Sequence, residues 1–499
     1  MPRFVDPVSK VVRLDDLRRR IQAAASRLQQ PEWHWALAFV CAGFYVVTSL
    51  YISAHRLLWF DEILTALISR LESTSTMLRA LSEVAEQTPP LYFLIARVFD
   101  QTFHHSDIGL RAPSAIALGA ALIVIFDTAR RLTNGLYGLI AMTFVATSFV
   151  TYYGHEARSY TIYFMLAAIT LWLWTATKTD SKIAAAAFGA VFLVGVSVHY
   201  YFLLCLVPFG FAALVERRVF QPKIIAGTVG VMFAVLALYP YIAHARAFAK
   251  TVGAGWVPSM FALFSACLGF LPNAIPPAVL IAGRRIVSRK LHEHLVPPMS
   301  SGERVGWLFL LLPLSAYLVG VMVTHTFHDR YIIGAAPGIA LAATCLLWRR
   351  FRQAGAFSLV LLLGFGTCAI GQQVITLARV DSMPAESGEY QQRIRQILAL
   401  EGTLIREGKQ NVVVTWDIQY LETWYYSTRR HQYECFTTED RWAIKRYVPL
   451  HFVSAEDIAA NARQTAIISH DEGLREAMHQ VGLATKVRFD KPQQILYLE

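Results

Sequence analysis

Long apolar runs alternate along the chain with short polar stretches that hold most of its charges. A bilayer core takes about 20 apolar residues per helix. Runs near that length begin at Trp33 and near Gly109, Gly135, Ser159, Ile183, Tyr201, Ile224, Ser259, Val305, Tyr331 and Ala356. About eleven spans are predicted, the fifth and sixth short and separated only by His199, Tyr200 and Tyr201. The first run, 33 to about 53, is too long and too late for a cleaved signal peptide and reads as a retained anchor.

The pattern changes in two places. Residues 54–108 form a long connection without a spanning run, and 89–99 within it is apolar but too short to cross. That stretch predicts an amphipathic helix lying in the membrane interface, with Pro89 and Pro90 at its start. After about Thr376 the pattern is that of a soluble domain. Helical period over 386–408, 418–428, 455–463 and 471–480 alternates with strand-like runs at 411–415, 451–454, 466–469 and 495–498. The expected fold is a polytopic α-helical membrane protein with a small C-terminal α/β domain. Its parts are a basic N-terminus over 1–32, a transmembrane domain over 33–376 with outer loop 54–108, and an α/β domain over 377–499 outside the membrane.

Composition agrees. Of 499 residues, 55% are hydrophobic and 16% charged, where a soluble domain carries roughly 25% charged. The mean hydropathy is +0.40. Disorder, a coiled coil and a disulfide scaffold are excluded. The net charge of +11 is large enough to suggest nucleic acid, but its distribution says otherwise. Cytoplasmic loops gather Lys and Arg. Alternate connections hold Arg130/Arg131, Lys178/Lys182, Arg217/Arg218/Lys223, Arg284/Arg285/Arg289/Lys290 and Arg349/Arg350/Arg352, on the side of the basic N-terminus. An odd number of spans then places the N-terminus inside and the C-terminus outside, and no nucleic-acid partner is expected. Six cysteines form neither a disulfide framework nor a zinc spacing. No Asn-x-Ser/Thr acceptor occurs, which favours a bacterial membrane. No tandem or inverted repeat is visible, which counts against the commonest transporter architectures.

Three constellations on the outer side could carry chemistry. Asp61 and Glu62 follow Trp59 and Phe60 just beyond the first span. Adjacent acids there are either a solvated loop start or a general base or metal ligand, since a carboxylate within reach of a hydroxyl can take its proton as the oxygen attacks. His155, Glu156, Arg158 and Tyr160 crowd the exit of the third span beside Tyr152 and Tyr153. Such groups are membrane anchors or line a cavity, and a planar guanidinium suits a phosphate. His328, Asp329, Arg330 and Tyr331 precede Pro337. Arg330 has two readings, a bridge to Asp329 or a group for an anionic headgroup. His199 reads as hydrogen-bonded packing, and Arg111, before Ala112-Pro113-Ser114, as a cap on the second span.

The order Phe60-Asp61-Glu62, Thr88-Pro89-Pro90-Leu91-Tyr92-Phe93, Leu110-Arg111-Ala112-Pro113-Ser114, His155-Glu156-Ala157-Arg158-Ser159-Tyr160, then Arg330-Tyr331 with Pro337 resembles the polyprenyl-phosphate-dependent membrane glycosyltransferases of GT-C fold. The likeness covers roughly residues 33–375 and is greatest to the bacterial family 39 type, which includes protein O-mannosyltransferases, the lipid A aminoarabinose transferase and rhizobial galacturonosyltransferases. Each motif alone is weak; five in order are fairly specific.

The resemblance implies an enzyme of the bacterial inner membrane, working on its outer face. It would move a sugar from a polyprenyl-phosphate donor, with inversion, to a hydroxyl of a lipid, glycan or protein acceptor. Asp61 matches the family's loop base, with Glu62 assisting; Glu156 matches the acid of the second loop, an acceptor or metal contact. Arg158, Arg330 and Arg111 are the candidates for the donor phosphate. His155, Tyr160, His199, Tyr92 and His328 would line the cavity. A divalent cation is found in some relatives, but no His/Glu spacing here dictates one, and no other cofactor is implied. The aminoarabinose branch carries a basic residue directly before its paired prolines, where this chain has Thr88, so another cation must serve or the donor is held differently. Two other classes compete: a lipid-linked sugar flippase or other transporter, which would need charges within its spans, and an anchored binding module worked by the C-terminal domain.

Overall fold

The computed structural model describes residues 31–177, 181–252, 258–270, 298–351, 355–380, 388–415, 417–436, 443–469, 485–489 and 494–498. The basic N-terminus, the predicted 471–480 helix and the Arg284–Lys290 cluster lie outside the described residues. The chain divides into two compact units. One comprises Met1–Ser53, Gln87–Ile95 and Arg111–Leu377; the other Ala54–Glu86, Ala96–Leu110 and Ala378–Glu499.

The first unit is helical. Among the described residues, six helical stretches are long and apolar enough to cross a membrane: Trp33–His55, Asp107–Leu132, Pro222–Ala247, Ser301–Thr324, Asp329–Phe351 and Ser358–Ala378. A seventh is broken, Gly135–Ala146 meeting Phe149–His155 at a 70° bend. Tyr160–Ala176, Lys182–Val198 and Tyr200–Val215 are apolar but shorter. Helical segments thus stand at all eleven predicted runs, the eighth as Met260–Leu268. By length and composition this is a multi-pass membrane protein.

Small residues set one close helix crossing. Lys182–Val198 lies along Pro222–Val252, and a side chain at Gly230 would collide with the Gly189 carbonyl. Membrane helices gain their contact from such close backbone approach, because lipid offers no hydrophobic drive between them.

Several basic residues read as topology signals are also structural ties. Lys223, 2% exposed, donates from Nζ to the carbonyls of Leu173 (2.9 Å), Trp174 (3.3 Å) and Thr177 (3.0 Å). It thereby satisfies carbonyls that the Tyr160–Ala176 helix leaves open at its end. Arg349 pairs with the buried Glu303 at 2.7 Å. Asp127 accepts from Arg130 Nη2 (2.6 Å), Arg131 Nε (2.6 Å) and Trp172 Nε1 (2.8 Å).

The second unit is built on a six-stranded sheet of order β3-β2-β1-β4-β6-β5. Its strands are β1 Asn411–Val414, β2 Tyr433–Phe436, β3 Phe452–Val453, β4 Thr465–Ser469, β5 Thr485–Phe489 and β6 Gln494–Leu498. The pairings of β1 with β2 and β4, and of β2 with β3, are parallel; β6 is antiparallel to β4 and β5. Val412, Val413 and Val414 are all buried, as befits a central parallel strand covered on both faces. Val413 packs with Ile458 and Ile467. The predicted 386–408 and 418–428 helices are Gly388–Arg406 and Asp417–Tyr426. Two strands were not predicted. β2 is only four residues long, with Tyr433 and Cys435 buried and Glu434 half-buried between them; β5 is an edge strand whose sequence mixes charged and apolar residues.

Candidate active site

In the first unit the site grows from the broken helix. Ser148 ends the Gly135–Ala146 segment, and its Oγ accepts from Val150 N at 3.3 Å, starting the tight Phe149–His155 turn. Glu156 is extended, and the Arg158 N–H donates to the Glu156 carbonyl at 2.8 Å. Ser114 Oγ then donates to the Arg158 carbonyl at 2.9 Å, pinning the turn before Tyr160–Ala176 begins. His155, Glu156 and Arg158 are consequently buried, at 3%, 2% and 5% exposure. Charged groups held at such depth are costly unless paired or used.

Tyr160 is the centre of the cluster. The guanidinium carbons of Arg158 and Arg330 each lie 5.7 Å from its ring centroid, a separation at which cation–π attraction contributes about 0.5–2 kcal/mol. Tyr153 and His199 present their rings to the same tyrosine at 5.0 and 5.6 Å. His199 stacks on Tyr163 at 5.0 Å, and Tyr201 stacks on Tyr331 at 4.4 Å. Asp329 Oδ1 accepts from Tyr153 Oη (3.3 Å) and from the Arg330 N–H (2.7 Å). A close approach holds this edge together, for a side chain at Gly334 would strike the Tyr163 hydroxyl.

The structure therefore brings Arg158, Tyr160, His199 and Arg330 together from three separate stretches of the chain. His328, exposed, meets Tyr331 edge to face at 5.4 Å, and His155 meets Tyr152 at 5.1 Å. Tyr92, fully buried, contacts Phe93. Arg111 is placed differently. It is fully buried, and its Nη1 donates to the Ser53 carbonyl at 2.9 Å, a tie to the end of the first span.

Asp61 and Glu62 belong to the second unit, in the first turn of the Phe60–Ser69 helix. The two acids differ. Glu62 is fully buried, and its Oε2 accepts from the Trp59 N–H at 3.2 Å, the arrangement by which a third-position glutamate caps a helix start. Asp61 is partly exposed. The helix ends at Arg70, whose Nε and Nη2 grip the fully buried Asp100 carboxylate at 3.1 and 3.0 Å. His105 Nδ1 lies 2.6 Å from the same carboxylate. Burial disfavours the Arg70 charge, but bonding and attraction from Asp100 and Tyr425 outweigh it and raise the pKa.

Tyr163 and Tyr201 were not among the candidate residues, and Tyr153, Asp329 and Tyr331 stood in the candidate constellations without a role assigned to them. Tyrosine doublets at 152–153 and 200–201 were the available signal. Among the described residues no three His, Cys, Asp or Glu side chains gather as a cation would require.

Residues 87–244 match the family model described as dolichyl-phosphate-mannose-protein mannosyltransferase. That segment contains Tyr92, Arg111, His155, Glu156, Arg158, Tyr160 and His199. No curated protein matches the chain in sequence. Among solved structures it is similar to ArnT from Cupriavidus metallidurans bound to undecaprenyl phosphate, with 12% identity, 93% of this chain and 97% of that one covered, and a TM-score of 0.56. The apo form of ArnT gives 12% identity, 94% and 98% coverage, and a TM-score of 0.57. The chain thus has the ArnT fold over nearly its whole length, and about a third of it, residues 87–244, matches the mannosyltransferase family model.

Proposed function

We propose that the protein is an integral-membrane glycosyltransferase that moves a sugar from a polyprenyl-phosphate donor to an acceptor hydroxyl, on the outer face of a bacterial plasma membrane. The observation that carries this reading is the pair of guanidinium groups, Arg158 and Arg330, set on one tyrosine ring at a broken apolar helix. Two fixed cations with an aromatic surround suit a phosphate carrying a greasy tail. The family match over 87–244 and the fold shared with a structure that holds undecaprenyl phosphate support it.

In the proposed step the acceptor oxygen attacks the anomeric carbon as the bond from that carbon to the phosphate oxygen breaks. A single displacement inverts the centre. The polyprenyl phosphate leaves with added negative charge, and donors already fixed where that charge develops lower the barrier most. Arg158 and Arg330 have that role, with Arg111 bracing the end of the first span. Asp61 takes the hydroxyl proton, Glu62 holds the start of its helix, and Glu156 contacts the acceptor.

Undecaprenyl phosphate binding to the purified protein, and mass spectrometry of envelope glycolipids and glycoproteins from deletion cells complemented with each variant, test the reading. Arg158→Ala and Arg330→Ala should each weaken binding tenfold or more. Asp61→Asn should bind normally yet make product only at a residual rate, about a hundredfold or more below wild type. Wild-type binding by both arginine variants would overturn the phosphate assignment, and product at the wild-type rate from Asp61→Asn would overturn the base.

A further inference from the structure

Within the second unit, the Asp417–Tyr426 helix of the C-terminal domain packs on the Phe60–Ser69 helix that carries Asp61 and Glu62. It ends in two tyrosines whose hydroxyls reach both ends of that helix. Tyr426 Oη accepts from the Leu58 N–H at 2.5 Å, just before the helix starts. Tyr425 Oη accepts from Arg70 Nη1 at 2.6 Å, just after its last turn. The two rings stand perpendicular, with centroids 5.1 Å apart, so they diverge toward different targets.

A ten-residue helix is about 15 Å long. Held at one end, it can pivot about that point; held at both, its position and tilt are set. The anchors are themselves fixed. Arg70 also donates to Asp100 and to the His105 carbonyl, and Arg430 Nη2 donates to the Tyr425 carbonyl at 2.7 Å. Leu58 is fully buried, and a backbone N–H at such a place needs an acceptor. Here that acceptor comes from a residue more than 360 positions away.

We infer that Tyr425 and Tyr426 are positioning residues for Asp61, so that the C-terminal domain serves transfer by holding the helix of the base in place. The inference rests on the reading of Asp61 as the base. It matters because a misplacement of about 1 Å can cost roughly a hundredfold in rate.

The test uses the full-length protein and a double-mutant cycle. Tyr426→Phe removes one hydroxyl and keeps the ring. It should cut product formation tenfold or more and raise deuterium uptake over residues 56–70. Its thermal transition should fall by a few degrees at most, the cost of one buried N–H that loses its acceptor, while its binding of undecaprenyl phosphate should stay unchanged. Tyr425→Phe should act in the same direction. Residues that work through one group are non-additive, so adding Tyr426→Phe to Asp61→Asn should change the residual rate by less than twofold. The inference is overturned if both tyrosine variants work within twofold of wild type while Asp61→Asn falls to its residual rate. It is overturned equally if Tyr426→Phe costs the same factor in both backgrounds, or if both variants fail to fold. An Asp61→Asn variant working at the wild-type rate would sink the base assignment first, a distinguishable failure.

Discussion

Removing either partner of the Arg70–Asp100 pair should destabilise the second unit, and by unequal amounts. Breaking a buried ion pair by deleting one member costs roughly 3–5 kcal/mol, because the other charge is stranded. The stranded group differs in the two variants. Arg70→Ala leaves Asp100, whose side chain is 0% exposed, and Asp100→Ala leaves Arg70, which is 25% exposed. Water can reach the guanidinium and not the carboxylate. His105 lies 2.6 Å from Asp100 with its own side chain 56% exposed, and so offsets only part of the first loss. Arg70→Ala should therefore cost about 3–4 kcal/mol, within that range, and Asp100→Ala about 2, below it because water solvates the stranded guanidinium. For a unit of this size 1 kcal/mol moves the transition by roughly 2–4 °C. The assay is thermal unfolding of the purified protein in detergent, with proteolysis of the sheet domain as a second readout. Equal shifts, a larger shift for Asp100→Ala, or shifts below about 1 °C for both would refute the argument from burial.

Other consequences follow from single contacts. Lys223→Met should lower the thermal transition although it removes a buried charge, because three carbonyls lose a donor at about 1–3 kcal/mol per group left unsatisfied; a stability equal to wild type would contradict this. Gly230→Leu should abolish folded protein in membranes, since its side chain has no room beside the Gly189 carbonyl; normal yield and transition would be the contrary result. Burial raises the Glu434 pKa above its ordinary 4.5, so the folded state holds that proton more tightly than the unfolded chain. The contribution is full below pH 4.5 and is lost as pH rises through the folded pKa. Glu434→Gln should accordingly gain on wild type across that window in pH-dependent melting, and parallel curves would refute it.

Much of this protein was legible in one dimension. Each of the eleven apolar runs marked a helical segment, because burial in lipid is a demand on consecutive residues. The change after Thr376 marked the sheet domain, and the Val412–Val414 run its central strand. The break at 147–148 was not legible, since Ala146 and Phe149 continue the same apolar run. Neither was β2, whose four residues acquire strand character by pairing with β1 and β3.

The candidate site divides along the same line. Residue type and order alone singled out Asp61, Glu62, Glu156, Arg158 and Arg330, because ionisable groups are scarce in an apolar chain and each costs free energy to keep. The gathering of Arg158, His199 and Arg330 around the Tyr160 ring was decided only by tertiary structure, since these residues lie up to 172 positions apart. So was the difference between Asp61 and Glu62, identical in kind and adjacent in sequence. One caps its helix and is buried, while the other is left partly open. The hold of Tyr425 and Tyr426 on that helix was equally invisible in sequence, because a hydrogen bond depends on where two ends of the chain meet in space and not on what lies beside them along it.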